Sequence, residues 1–156
     1  MKTKRRESVF ETSSSSVHTI VVKYNGMYKL ELERDDRNPF AVVGHCMDYS
    51  VVGHDEDYII STQQDKFNYL VSWVVCSAKY GYDPLEESWG YKSLLYALQL
   101  VDPNIDTIIV KDEDKADFDH QTAPYSYNDC VINMYDEHAI CNFIFNDNIT
   151  LKCNFD

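Results

Sequence analysis

The stretch STQQDKFNYLVSWVVCSAKYG, Ser61 to Gly81, decides the fold. Ser61 or Thr62 offers a side-chain oxygen for an N-cap, and Asp65, three residues after Thr62, resembles the partner position of a capping box. Phe67, Leu70, Val71, Val74, Val75 and Ala78 then recur at the spacing of one helical face, the stripe of a helix lying on a sheet. Gly81 marks its end. Such a stripe must be buried against other elements, so the flanking sequence has to supply them.

C-terminal to this helix, Asp83-Pro84 with Glu86 combines an N-cap, a first-turn proline and a capping-box acid. A second helix follows, with Tyr91, Leu94, Leu95, Leu98 and Val101 on its buried face and Asp102-Pro103 as its stop. Ile105 to Val110 reads as a strand, Lys111 to Asp129 as a long polar connection, and Cys130 to Tyr135 and Ile149 to Phe155 as further strands. Glu137 to Phe145 fits helix or strand; Ile140, Phe143 and Ile144 share one helical face, which favours helix.

N-terminal to it, Asn25-Gly26 separates the alternating runs TIVVKY and MYKLELE, the pattern of a hairpin across Thr19 to Glu33. Arg34 to Pro39 is a loop. VVGHCMDY (Val42 to Tyr49) and VVGHDEDY (Val51 to Tyr58) form a short repeat, too brief for a solenoid and read as two β segments with glycines at bends. Residues 1–18 are a polar leader and 19–156 a single domain. The expected fold class is α+β: the hairpin extends into a mostly antiparallel sheet, with helices near 62–80 and 84–101 packed on one face.

Composition narrows the function classes. With 156 residues, 44% of them apolar and 13% aromatic, the chain can bury one core and is not a disordered segment. No run approaches the roughly 20 apolar residues of a membrane span, and the N-terminus has no apolar signal region, so a cytoplasmic location and no membrane partner are expected. Cys46, Cys76, Cys130, Cys141 and Cys153 are odd in number and widely spaced, like reduced core residues. The net charge is -12, and four of the 14 basic residues lie in the first six positions, leaving 10 basic against 26 acidic residues beyond them. Such a body repels phosphate backbones and excludes direct nucleic-acid binding outside the basic tip; its macromolecular partners should be basic. Asp55-Glu56-Asp57, Asp112-Glu113-Asp114, Asp117 and Asp119, and Asp136-Glu137 are spaced carboxylates able to imitate a phosphate track.

Three segments carry a resemblance. FETSSSSVHTIVV (Phe10 to Val22), Asp119-His120-Gln121-Thr122, and Phe143 to Asn146 with its following polar turn resemble, in order, the F-E-T-N-S-S-S-x-H-S/T leader, D-H-Q-S motif and I-F-N segment of uncharacterised proteins common in bacteriophages and mobile elements of Gram-positive bacteria. Ser13 stands where that family usually has Asn, and the chain reads LKCNFD where the family tends to continue with a G/D-N-D-N run. The resemblance implies provenance and possible site residues and carries no activity; provenance and charge together lead to the expectation of a host or defence protein as target, met in the host cell.

Ser14, Ser15, Ser16 and His18, with Asp119, His120 and Gln121, are the chemical types of a polar or acid-base site, His120 taking its tautomer from Asp119. Alternatively the serines cap their own backbone. His45, Asp48, His54 and Asp57 with Cys46, and His138 with Cys141, are metal-ligand types; on a strand, residues three apart face opposite ways, and neither metal nor cofactor is expected. Two functions follow: a small acidic protein that binds and inhibits a basic, nucleic-acid-handling protein, or an enzyme or small-ligand binder built on the serine and Asp119–Thr122 segments.

Overall fold

The computed structural model describes residues 6–11, 16–22, 28–50, 58–118 and 132–155. Helix and strand are mixed. In chain order they are β1 (Arg6–Glu11), β2 (Ser16–Val22), β3 (Ala41–His45), β4 (Tyr58–Ile60), α1 (Gln63–Gly81), α2 (Trp89–Val101), β5 (Thr107–Lys111), α3 (Glu137–Phe145) and β6 (Thr150–Phe155). No helix among the described residues is long and apolar enough to cross a membrane.

The strands divide between two sheets. One has the order β1-β2-β6-β4, each neighbour antiparallel to the next; the other is a parallel pair, β3 with β5. A parallel pair needs a long crossover, which α1 and α2 provide between β3 and β5. The single sheet with two helices on one face is thus corrected, among the described residues, to two sheets and three helices.

α1 is the centre of the molecule. Thr62 Oγ1 accepts from Asp65 N at 3.1 Å, so Thr62 is the cap. The predicted stripe is buried, but so is every residue from Phe67 to Cys76, more than two full turns. The helix is therefore covered all round, by β3, α2 and α3, rather than lying on one sheet. One core cluster joins its side chains to Val42, Leu94, Leu98, Ile140, Phe143, Leu151 and Cys153. Lys66 is fully buried, its Nζ donating to the carbonyls of Asn146 at 3.0 Å and Ile149 at 3.3 Å. It sits where α3 ends and β6 begins, with its charge against the negative end of the α3 dipole. Burial lowers its pKa from the ordinary 10.5 to about 8.

Other expectations change in detail. β2 is paired on both edges, with β1 and with β6 (Val21 opposite Glu7 and Thr150), so no edge remains for Met27–Glu33; residues 28–33 are not a strand. The Asn25-Gly26 turn itself lies outside the described residues, as does most of the second repeat copy. The leader contains β1 and the first residues of β2. Asp83 does not cap the second helix: Leu85–Glu87 forms a short 3-10 turn, and Ser88 is the cap of α2, its Oγ accepting from Tyr91 N at 3.3 Å. Residues 132–135 are turn, not strand, because Asn133 Oδ1 accepts from Tyr135 N and Asn133 O accepts from Asp136 N. Asp136 then caps α3, the helical alternative for residues 137–145.

Candidate functional site

A polar row on α1 builds the best-ordered cluster of functional groups. Gln64, Asn68 and Ser72 stand four residues apart, on one helical face. Gln64 Nε2 donates to Val43 O at 3.0 Å, Asn68 Oδ1 accepts from His45 N at 2.9 Å, and Ser72 Oγ accepts from Met47 N at 3.0 Å. The helix thus satisfies β3 and its continuation much as a neighbouring strand would. Gln64 Oε1 also accepts from Glu33 N at 2.8 Å, and Val43 N donates to Glu33 O at 2.9 Å. This framework sets Glu33 Oε2 at 2.7 Å from His45 Nε2, at the C-terminal end of β3 with both side chains partly open to solvent. The pair can pass a proton or hold a cationic group. Gly44, between Val43 and His45, packs so closely on α1 that a Cβ there would stand 2.6 Å from Val71 Cγ2.

The neighbouring thiol supplies no nucleophile. Cys46 is buried, and burial pushes its pKa up to about 12. Cys76, Cys141 and Cys153 are likewise free and buried, with pKa values raised to about 11, 11 and 12 by the same cause. Such thiols are inert at neutral pH. Asp48, the other metal-ligand type in the first repeat copy, accepts from Ser50 N at 2.8 Å and from Ser50 Oγ, and closes its own turn. Among the described residues no three His, Cys, Asp or Glu side chains converge on a metal site.

Of the acid-base candidates, Ser16 and His18 lie on β2, opposite Phe155 and Cys153 of β6. Ser14, Ser15, Asp119, His120, Gln121 and Thr122 lie outside the described residues, as do His54, Asp55, Glu56 and Asp57; their juxtaposition remains an expectation. His138 is exposed and Cys141 buried, which separates that pair.

The acidic stretch after β5 is well held. Asp112, Glu113, Asp114 and Asp117 are all exposed, while Ala116 and Phe118 between and beyond them are buried. Phe118 packs on Trp73 and Tyr49, with ring centroids 5.0 and 5.2 Å apart. Asp117 is bonded through its backbone to Met47 O and Tyr49 N, and Glu113 O accepts from Lys79 Nζ at 2.8 Å. Lys115 Nζ lies 3.1 Å from Asp112. This first part of the expected polar connection is therefore a fixed rim and not a loose loop.

At the nearby end of α1 the helix closes in a Schellman turn, Asp83 N donating to Ala78 O and Tyr82 N to Lys79 O. Tyr82, not Gly81, takes the left-handed position, with φ 57°. Sequence reading missed Glu33 because its partner lies 12 residues away across a loop. The Gln64, Asn68, Ser72 row was a visible signal: polar residues at helical period inside an apolar helix.

Comparison with protein-family models, curated proteins and solved structures gives no match to this chain.

Proposed function

We propose that this chain is an interaction protein that binds a partner with a basic, nucleic-acid-handling surface and inhibits it by occupying that surface. The observation that supports this most is the fixed rim of Asp112, Glu113, Asp114 and Asp117. With its backbone already held, this stretch loses little main-chain freedom on binding, and spaced negative charge on a body of net charge -12 steers basic partners toward it. The resemblance of the leader to phage and mobile-element proteins makes a host or defence protein the natural target, reached in the host cytoplasm.

The test is capture from bacterial lysate at rising salt, with the native chain beside a variant carrying Asp112→Asn, Glu113→Gln, Asp114→Asn and Asp117→Asn. A basic protein held by the native chain, released as salt rises and not held by the variant, supports the reading. Equal retention by both chains would overturn it. The rival enzymatic reading gains no nucleophile from Cys46, and its serine and Asp119–Thr122 residues are, apart from Ser16, outside the described residues.

A further inference from the structure

Trp89 and Tyr135 keep about half of their surface open, 55% and 49% exposed, whereas the other tryptophan, Trp73, is 1% exposed. The Trp89 and Tyr135 rings meet with centroids 5.9 Å apart at 44°, joining the start of α2 to the turn before α3. Tyr96 and Leu100, both about half exposed, extend the strip along the same face of α2.

Charge gives this face a particular complement. Exposed carboxylates border it in the chain: Glu86 and Glu87 just before Trp89, and Asp136 beside Tyr135. On α2 the counter-charge is Lys92.

Resting on the reading of the chain as a binder of basic partners, we propose that the face formed by Trp89, Tyr135 and Tyr96 is a further docking surface beyond the 112–117 rim, and that its occupant is an arginine-rich segment of the partner. A guanidinium stacks on an aromatic ring and pairs with a carboxylate through the same planar group, and this surface presents both. An aliphatic partner would bury the bordering carboxylates unpaired. A second copy of this chain would bring the same carboxylates and a further charge of -12 against them.

The two tryptophans make the test specific. A short peptide alternating glycine and arginine is titrated into the 15N-labelled chain, with its glycine-lysine counterpart alongside. The arginine peptide should move the Trp89 indole N–H resonance and leave that of Trp73 in place, and should bind more tightly than the lysine peptide. Affinity should fall at least about tenfold in Trp89→Ala and in Tyr96→Ala. Alanine suits the exposed helical position of Tyr96, so that variant keeps α2. If the arginine peptide binds both variants as it binds the native chain, docking lies elsewhere and this inference fails, while loss of binding on neutralising the 112–117 rim would leave the proposed function standing. No binding of the arginine peptide to the native chain would overturn this inference, while the capture experiment decides the proposed function separately. Self-association of the native chain that disappears in Trp89→Ala would overturn the assignment in favour of a second copy.

Discussion

Lys66 illustrates how one buried charge sets a pH dependence. Its folded pKa of about 8 lies below the ordinary 10.5, so between those values the unfolded chain binds more protons and stability rises with pH through this group. The four buried thiols act the other way: their raised values, about 11 to 12, give stability that is full below their ordinary 9.0 and is lost as pH climbs above it. The interval between about 8 and 9 therefore isolates the lysine. Relative to Lys66→Met, the native chain should gain on the order of 1 kcal/mol between about pH 7 and 9, read from urea unfolding at each pH. A flat difference would mean that the ammonium is not desolvated. Sequence reading passed over this residue because a helical lysine is ordinarily a solvent-facing group; only its position, three and four residues from Gln63 and Leu70, placed it on a packed face.

At the scale of elements, the contact between α1 and β3 is both polar and tight. Gly44→Ala forces a methyl to within 2.6 Å of Val71 Cγ2, with Phe67 also close, so it should cost about 1–3 kcal/mol in thermal or chemical unfolding. Adding Val71→Ala should recover part of that loss, a non-additivity expected only if the two side chains collide. The ends of α1 were legible because capping is local: Thr62 and Asp65 are three residues apart, and the last turn closes on Ala78 and Lys79. The hairpin at Thr19–Glu33 was misread because a strand has two edges and the sequence does not say which segments fill them. Here β1 and β6 do. Residues 132–135 alternate like a strand, yet Asn133 bonds its own neighbours and starts a turn.

For the whole molecule, a net charge of -12 means self-repulsion that salt relieves. The melting temperature should therefore rise when NaCl goes from about 10 mM to about 150 mM, where the screening length shortens from roughly 30 to 8 Å. A fall would show that attractive pairs such as Arg34–Asp102, 2.7 Å apart, outweigh the repulsion. The acidic character was fully legible from composition. The meeting of Trp89 and Tyr135 was not, because the two rings come from segments far apart in sequence.

The sheet order β1-β2-β6-β4 also dictates a timetable for synthesis. β6 lies between β2 and β4 and pairs with both, Val21 and Ile60 meeting Thr150 and Leu151. While the ribosome is still adding residues before Thr150, both of those strands have emerged with a bare hydrogen-bonding edge and nothing to close it. β3, α1, α2 and β5 need no such late arrival and can dock first. A nascent chain that stalls before β6 would present two open edges, the kind of template on which chains join strand to strand.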